Sequence, residues 1–312
     1  MRTVRDRSGL LVVGSITQDY VETPGTSLKG ELGGSATYAS LAARNFGPVA
    51  VAGAMGRDLA ADFIELLQFA DISRLLPVDL PTYTWRARRQ TVGGEATTLE
   101  RFNGAFEGYR PELGAVQSLP GVVFLGSCDP EAQLAAIRGC PPDAYIGGDT
   151  MDVFLEAQRA RVEQVVGQCH LLFATQLEVE MLAQTRGAAA AALKVLQSNA
   201  LDALVMKLGP GGAVLWTRHD SHHLPAFEAE VVDPTGAGDA LAGAFMGRLA
   251  EVNGRTDEAM LEALEWGIVA ASFAISGVGV SVLRAAGRGA LEERLSLYRA
   301  GHGTSGAAPP KS

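Results

Sequence analysis

Asp239 is the carboxylate whose neighbours most clearly indicate a chemical task, because it stands in the first turn of a predicted apolar helix. The helix follows the small residues Gly236, Ala237 and Gly238. Backbone N–H groups at a helix N-terminus have no partner within the helix and attract an anion, and glycines let that anion come close. A carboxylate beside such a site has a purpose if it accepts a proton from an attacking hydroxyl while the N–H groups hold the transferred group. The pattern therefore predicts phosphoryl transfer to an alcohol.

Asp239 can do this with an ordinary pKa, since the hydroxyl becomes acidic only as it bonds to phosphorus. The alternative is that Asp239 merely complements the helix dipole. Residues 233–245, DPTGAGDALAGAF, resemble the C-terminal signature of the ribokinase-like (PfkB) carbohydrate kinase family. The resemblance implies that Asp239 is the catalytic base, that the N–H groups of residues 236–239 form an anion hole, and that ATP is the phosphoryl donor.

Two N-terminal segments carry a second resemblance to this family. Residues 10–19, LLVVGSITQD, are similar to its opening strand, and residues 33–47, GGSATYASLAARNFG, are similar to its first signature. The resemblance implies that Asp19 binds hydroxyl groups of the acceptor, a task that suits a carboxylate because it accepts several hydrogen bonds. It also implies that the acceptor lies against the backbone of Gly33 and Gly34.

The helix after this glycine pair departs from the family pattern. Ser35 and Tyr38 stand where many sugar kinases of the family have Lys and Asn. If Tyr38 contacts the substrate, its ring favours an acceptor with a flat or apolar part, such as a nucleoside or a cyclitol. Packing of the Tyr38 ring in the core is an equally good interpretation.

A glycine-rich turn resembles the family's nucleotide-proximal segment. Residues 207–212, KLGPGG, follow a predicted strand and precede the Asp239 motif in the order typical of the family. The resemblance implies that Lys207, Gly209 and Gly212 bind the nucleotide. Lys207 either balances phosphate charge or simply ends the strand.

Two metal sites are also implied by the resemblance. The segment LLFATQLEVEML is similar to the family's Asn-x-x-Glu region, so Glu178 is expected to order Mg²⁺ through water, although Thr175 stands where Asn is usual. A K⁺ site is expected next to the anion hole, at Asp233, Thr235 and Ser281. The alternative for the turn around Ser281 is an ordinary loop.

The elements that must position these residues alternate between strands and helices. Short buried apolar runs predict strands at 10–13, 48–54, 121–126, 144–148, 171–174 and 203–207. Helices are predicted after most of them, at 55–69, 130–136, 151–166, 187–196 and 259–277. Short connections between them are typical of a doubly wound, mostly parallel sheet flanked by helices, the ribokinase-like fold that the resemblance also implies. Segments 213–216 and 222–226 are predicted as antiparallel additions.

Residues 81–108 interrupt this alternation. Segments 82–90 and 97–102 alternate polar and apolar residues across a glycine turn, which predicts a β hairpin. We interpret this hairpin and the segment 15–32 as a small β lid over the carboxyl edge of the sheet, where such folds bind ligands. A surface hairpin without a function is the alternative. The lid also offers a surface through which two copies of the chain could form a homodimer.

Length and composition predict one globular domain over residues 1–300, followed by a Gly-, Pro- and Ser-rich tail, 301–312, that we expect to be disordered. A net charge of −9 and a pI near 5.1 argue against a nucleic acid partner. No apolar run reaches the roughly 18 residues of a membrane span, and no signal peptide pattern is visible. Cys128, Cys140 and Cys169 lack the spacing of metal ligands and are interpreted as free thiols. We therefore expect a cytoplasmic protein.

These features together predict an ATP-dependent kinase that acts on a hydroxyl of a sugar or sugar-like small molecule, with Mg²⁺ and, by resemblance, K⁺. A nucleoside kinase of the adenosine or cytidine type, or a cyclitol kinase, is the alternative within the same chemistry. From another class, a catalytically weak ligand-binding regulator is the alternative. A dinucleotide-dependent oxidoreductase is disfavoured, because no G-x-G-x-x-G pattern follows the first strand.

Overall fold

The computed structural model describes residues 8–24, 26–94 and 96–302. The strands are β1 (Leu10–Val13), β2 (Thr17–Thr23), β3 (Thr26–Ser27), β4 (Glu31–Gly33), β5 (Val49–Gly56), β6 (Asp71–Val78), β7 (Tyr83–Arg89), β8 (Ala96–Phe102), β9 (Val122–Leu125), β10 (Tyr145–Asp149), β11 (Leu171–Thr175), β12 (Ala203–Lys207), β13 (Ala213–Thr217) and β14 (Ser221–Leu224). The helices are α1 (Ser35–Ala43), α2 (Ala60–Leu66), α3 (Pro130–Gly139), α4 (Asp152–Ala157), α5 (Arg159–Val166), α6 (Gln176–Ala183), α7 (Ala188–Ser198), α8 (Ala237–Val252), α9 (Asp257–Ile275), α10 (Ser281–Ala285) and α11 (Arg288–His302).

The larger sheet has nine strands in the order β14-β13-β12-β11-β10-β9-β1-β5-β6. Neighbours from β6 to β12 are parallel, and β13 and β14 are antiparallel, as the sequence predicts. The strand order reverses at β1, which lies between β5 and β9. In open sheets of this kind the crevice at the carboxyl ends of the strands on either side of such a reversal is the usual ligand site.

Helices cover both faces of this sheet, which explains why its inner strands are apolar throughout. In β11, for example, Leu171 and Phe173 belong to one hydrophobic core and Leu172 and Ala174 to the other. The first core contains side chains of α1, α8, α9 and α11, and the second contains side chains of α3 to α7. The predicted doubly wound arrangement is therefore confirmed.

The smaller sheet has five strands, with β3-β2-β7-β8 in order and β4 paired with β2. The predicted hairpin is present as β7 and β8, which pair in antiparallel fashion. Asp19 lies inside β2, where it pairs with Glu31 of β4 and Trp85 of β7. The lid is therefore a continuous sheet that carries Asp19 on one of its inner strands.

Several predicted boundaries are wrong for local reasons. The strand β5 continues through Gly56, so the helix expected from residue 55 begins only at Ala60. The helix expected over residues 151–166 is broken into α4 and α5, because Gln158 between them has non-helical dihedral angles.

Two more differences concern segments at the edges of the fold. The strand β6 was not predicted. It lies at the edge of the large sheet, and because most of its residues are exposed or half-buried it lacks an apolar run. The helix α11 includes residues 301 and 302, so these two residues are helical rather than part of the predicted disordered tail. Its remaining residues, 303–312, lie outside the described residues, as do residues 1–7.

The contact between α1 and α8 holds these two helices in a fixed position relative to each other. Gly243 of α8 lies against the backbone of Ala39 in α1, where an added β-carbon would overlap main-chain atoms. Further along α8, a β-carbon at Gly247 would approach Ala43 and Phe46 at 3.1 Å. These glycines let the two helices approach backbone to backbone. Phe245, on α8, packs on Phe173 of β11 with 5.2 Å between ring centroids.

None of the helices in the described part of the chain combines the length and hydrophobicity that a membrane span requires.

Replacing Gly243 by Ala tests this helix contact. Because the added methyl group meets backbone that cannot rotate away, we expect the free energy of unfolding to fall by about 1–3 kcal/mol. The matched control is Gly289→Ala in α11, where no atom lies within 4 Å of the added carbon. There the better helix propensity of Ala should raise stability by about 0.5–1 kcal/mol. Urea unfolding of both variants measures the difference, and equal effects would contradict the close contact.

Candidate active site

A cavity of about 580 Å³ lies between the carboxyl edge of the large sheet and the lid. Its wall includes the last residues of three neighbouring strands: Asp149 of β10, Thr175 of β11 and Lys207 of β12. The N-terminus of α8, the start of α1 and side chains of β2, β7 and β8 complete it. Predicted site residues that line the cavity are Asp19, Gly34, Tyr38, Glu178, Lys207, Thr235, Gly236, Gly238 and Asp239.

The turn before α8 has the geometry that an anion site needs. Gly236 is the N-cap residue with a φ of 74°, a left-handed conformation that favours glycine. The N–H of Ala237 donates to the carbonyl of Pro234 at 3.3 Å, a long bond. Among the described residues, the N–H groups of Gly238 and Asp239 have no main-chain acceptor outside the helix, as is usual for a helix start.

The ring of Tyr38 packs against the backbone of Gly236 in this turn. A β-carbon at Gly236 would overlap the ring, and only 1% of Tyr38 is exposed. Burial and the negative charge of Asp19 raise the pKa of the Tyr38 hydroxyl well above its usual value. The structure thus favours the packing interpretation of Tyr38, in which the ring holds the Gly236 turn in position.

Asp239 lies in the first turn of α8 and has an unusual ionisation. Burial raises its pKa to about 7, with a further increase from the negative charge of Asp149, while Lys207 acts in the opposite direction. The reaction predicted from the sequence does not need this shift, because the hydroxyl becomes acidic only as it bonds to phosphorus. The shift arises mainly because the fold buries Asp239 and secondly because it brings other carboxylates close, neither of which the sequence reveals.

Asp149 is the main site residue that sequence reasoning missed. Both its carboxylate oxygens accept hydrogen bonds from the Lys207 ammonium, at 2.7 and 2.9 Å. Burial opposes the charge on Lys207, but Asp149 and Glu178 outweigh it and raise the Lys207 pKa. The available signal was an acidic residue at the carboxyl end of a predicted buried strand. The Lys207 side chain also runs beneath the anion-hole turn, since a β-carbon at Gly238 would lie 3.4 Å from its Nζ.

Glu178 is held by the start of α6. Its Oε2 accepts a hydrogen bond from the N–H of Thr175 at 2.7 Å, while the Thr175 hydroxyl accepts from the N–H of Glu178 at 3.3 Å. This reciprocal capping box fixes the carboxylate at the cavity wall. Burial raises the Glu178 pKa. The positive charge of Lys207 lowers this pKa, and the negative charge of Asp149 raises it. Since Mg²⁺ is commonly held by one or two carboxylates, waters and phosphates, this wall fits the ion.

Asp19 and the glycine pair meet at the other end of the cavity. The Oδ1 of Asp19 accepts a hydrogen bond from the Thr17 hydroxyl at 2.7 Å. A β-carbon at Gly33 would overlap the Asp19 carboxylate, and Gly34 has a φ of 95° where the chain turns into α1. Burial raises the Asp19 pKa to about 7, against the hydrogen bond from Thr17 and with a further increase from Asp233.

The predicted nucleotide turn lies just outside the cavity. Gly209 and Gly212 have φ values of 56° and 87° in the turn after β12, but they are not among the lining residues. A β-carbon at Gly212 would overlap the backbone of residues 224–226, so this glycine is required by the fold itself. Nucleotide binding by both glycines stays a prediction.

The side chains of the three residues expected at the K⁺ site are mostly engaged with other groups, and among the described residues only the Oδ2 of Asp233 in this set lacks a partner. The Oδ1 of Asp233 accepts from the N–H and the hydroxyl of Thr235, at 3.1 and 2.7 Å. The hydroxyl of Ser281 donates to the carbonyl of Val278 at 2.7 Å and is exposed. The guanidinium of Arg89, which sequence reasoning also missed, lies beside Asp233 and Thr235. Among the described residues, no cluster of three or more His, Cys, Asp or Glu side chains could hold a metal ion.

Comparison with known proteins identifies sequences that are similar to this chain. Residues 9–284 match the family model described as pfkB family carbohydrate kinase. The chain is 30% identical over 116 residues to the deoxyribokinase of Salmonella typhi, a match that spans 36% of each protein. It is 26% identical over 284 residues to the aminoimidazole riboside kinase of Salmonella typhimurium, which covers 86% of this chain and 89% of that protein.

The fold is also similar to solved structures. The ribokinase II of E. coli, in complex with ATP and Mg²⁺, superposes with a TM-score of 0.77 and 17% identity, over 93% of this chain and 99% of that chain. This similarity confirms the predicted ribokinase-like fold.

The raised pKa of Asp239 predicts a specific dependence of stability on pH. The folded protein keeps the Asp239 proton up to about pH 7, whereas the unfolded chain releases it near pH ~4. Ionisation of Asp239 therefore reduces stability as the pH rises through this window. We expect Asp239→Asn to raise the free energy of unfolding at about pH 8 relative to the natural chain, with a difference that shrinks toward pH ~4.

A carboxylate with a lowered pKa serves as the control of opposite sign. The pKa of Glu258 at the start of α9 is lowered by backbone and Thr256 hydrogen bonds. Its contribution to stability is lost as the pH falls through the lowered pKa, so Glu258→Gln should lower stability at about pH 8, by an amount that shrinks in acid. Urea unfolding between about pH 3 and pH 8 measures the free energy of unfolding of both variants and of the natural chain. A pH-independent effect of Asp239→Asn would contradict the raised pKa.

Proposed function

Because the chain belongs to the pfkB family of carbohydrate kinases, we propose that it transfers the γ-phosphoryl group of ATP to a hydroxyl group of a sugar or a nucleoside. The observation that carries the proposal is the first turn of α8. There the carboxylate of Asp239, with a pKa of about 7, lines the same cavity as the helix N-terminus. A proton acceptor beside an anion site is the combination that phosphoryl transfer to an alcohol requires.

In the proposed reaction the acceptor oxygen attacks the γ-phosphorus in line with the bond that breaks. The new O–P bond forms as the bond to the bridging oxygen of ADP breaks, and ADP leaves with that electron pair. The hydroxyl proton passes to Asp239, whose raised pKa suits it to hold a proton near neutral pH. The N–H groups of Gly236 to Asp239 stabilise the negative charge on the transferred group.

The nucleotide phosphates are proposed to lie near Lys207 and Glu178. Lys207 supplies a positive charge beneath Gly238, and Glu178 supplies a carboxylate held by its capping box. Bound Mg²⁺ would neutralise charge on the phosphates. We propose that Glu178 orients a water of that ion, and that Gly209 and Gly212 lie along the nucleotide.

The acceptor is proposed to lie between Asp19, the Gly33-Gly34 backbone and the inner face of the lid. Asp19 would accept hydrogen bonds from sugar hydroxyls. Tyr83 and Trp85 on β7 also line this part of the cavity. Such rings can stack on a base, so a riboside is favoured over a cyclitol within the sugar-like acceptors. The similarity to aminoimidazole riboside kinase over most of the chain supports the same choice.

A catalytically weak regulator is the less favoured alternative. A sequence feature that favours it is Thr175 in the position where the family usually has Asn, but Thr175 keeps Glu178 in position through a capping box. A cytoplasmic location and a homodimer through the lid stay predictions. The exposed side chains of Leu99 and Phe102 on β8 support an association surface there.

Asp239→Asn tests the proposed base. We expect kcat to fall by ~10²–10⁴-fold, because proton transfer to a positioned side chain contributes about that much. ATP binding, measured by calorimetry, should change little. The assay measures ADP formation from ATP in the presence of Mg²⁺, with pentoses, hexoses, cyclitols and nucleosides tested in turn as acceptors. The control Glu293→Gln, on an exposed face of α11, should keep full activity; retained turnover in Asp239→Asn would refute the assignment.

Trp85→Ala tests whether the acceptor carries a base. If the indole stacks on a base, KM for nucleosides should rise ~2–10-fold while KM for free pentoses changes much less. Leu99→Ala, an exposed position on the neighbouring strand, is the control. Equal changes for both acceptor classes would favour a plain sugar.

A further inference from the structure

Arg89 is the last residue of β7, and its guanidinium is buried in the wall of the cavity beside the anion-hole turn. One guanidinium nitrogen donates to the hydroxyl of Thr235 at 3.1 Å, and another donates to the carbonyl of Gly94 at 2.5 Å. The Nε lies 3.9 Å from the Oδ1 of Asp233. A side chain of the lid therefore reaches the segment that leads into α8.

Charge explains why a cation lies at this point. The Asp233 side chain is 3% exposed and the Arg89 side chain 8%. Within the described residues, the Oδ2 of Asp233 and the Nε of Arg89 are both buried without a hydrogen-bond partner. Burial lowers the Arg89 pKa and Asp233 raises it, but a guanidinium stays protonated in proteins. Arg89 is thus the counter-charge of a buried carboxylate.

The Arg89 guanidinium lies beside two of the three residues of the expected potassium site, Asp233 and Thr235. Asp233 and Thr235 turn their oxygens toward each other and toward the guanidinium, and Ser281 is bonded to Val278. The side chains present therefore do not fit an additional monovalent cation next to Asp233, since a second positive charge there would be repelled by Arg89.

We propose that the Arg89 guanidinium takes the place of a monovalent cation in this chain. It holds the 233–236 segment so that the N–H groups of α8 point at the transferred phosphoryl group, and the protein works without K⁺. Arg89 is a positioning residue in this view, because its contacts are to Thr235 and Asp233. The proposal rests on the proposed kinase function for its catalytic consequence, but the cation site itself can be tested without turnover.

The same arrangement connects the lid to the catalytic turn. The hairpin turn after Arg89 rests on the segment before α8, where a β-carbon at Gly93 would lie 3.4 Å from the Val231 side chain. The strand that carries Arg89 also carries Tyr83 and Trp85 on the cavity side. The residues that would contact the acceptor and the cation that supports the anion hole therefore share one strand.

The experiment compares KCl, NaCl and tetramethylammonium chloride at equal ionic strength. The natural chain should show rates within about twofold of each other in the three salts, because its cation is built in. In Arg89→Ala, without alkali cation, kcat should fall ~100-fold, as expected for a misaligned anion hole. K⁺ should then restore the rate of Arg89→Ala at least ~10-fold by filling the space beside Asp233. Arg89→Lys, which keeps the charge, should stay indifferent to K⁺.

Arg88→Met is the matched control. Arg88 precedes Arg89 on the same strand but is exposed and pairs with Glu22 at 2.8 Å. This variant should behave like the natural chain in every salt. Stimulation of the natural chain by K⁺ of ~10-fold or more, or full activity of Arg89→Ala without alkali cation, would overturn the proposal.

Thermal unfolding supplies a readout that does not need an acceptor. K⁺ should raise the midpoint of Arg89→Ala relative to tetramethylammonium and leave that of the natural chain and Arg88→Met unchanged. If no acceptor is turned over by the natural chain, the proposed function fails while this comparison still decides the cation site. Equal K⁺ shifts in the natural chain and Arg89→Ala, or none in either, would overturn it. If Arg89→Ala does not fold, the salt response of the natural chain and Arg89→Lys decides.

Discussion

The Gly236 backbone lies directly on the ring of Tyr38, and the direction of the α8 N-terminus depends on this contact. A side chain at position 236 would overlap the ring, and the φ of 74° adds a second reason for glycine. The next residue of α1, Ala39, meets Gly243 of α8. The two helices therefore form one packed unit, and α1 begins next to Asp19. Packing of backbone on backbone, rather than a flexible loop, sets the separation between the proposed acceptor site and the proposed base.

Four aspartates in or beside the cavity wall, Asp19, Asp149, Asp233 and Asp239, divide into two groups according to whether a cation pairs with them. Lys207 pairs with Asp149, and Arg89 lies beside Asp233. Asp19 and Asp239 have no cation within ion-pair distance in the described part of the chain, and both have a pKa raised to about 7. The paired carboxylates serve the geometry of the wall. The unpaired ones can exchange a proton or accept hydrogen bonds from a substrate, which is the behaviour expected of groups that act on a ligand.

The sequence predicted the parts that depend on local pattern. The alternation of strands and helices, the hairpin of the lid and the glycine turn before Asp239 all leave periodic or glycine signals in the chain. It could not predict contacts between distant segments. In the sequence Arg89 is one of several arginines in the lid, and nothing distinguishes it from the others. Only the fold brings it to Thr235, which is 146 positions away. The break at Gln158 and the edge strand β6 also lack a local signal, because tertiary packing decides them.

Thr175 illustrates how a departure from a family pattern can leave the site intact. Its hydroxyl and its N–H are both used in the capping box with Glu178, which begins α6 at the carboxyl end of β11. An Asn at this position could cap the helix in the same way, since both residue types accept from backbone N–H groups. The exchange therefore leaves the Glu178 carboxylate fixed at the wall, with one oxygen bonded to Thr175 at 2.7 Å. The amide that Asn would add is lost, but the carboxylate that a metal-bound water needs keeps its place, so the proposed role of Glu178 does not require Asn.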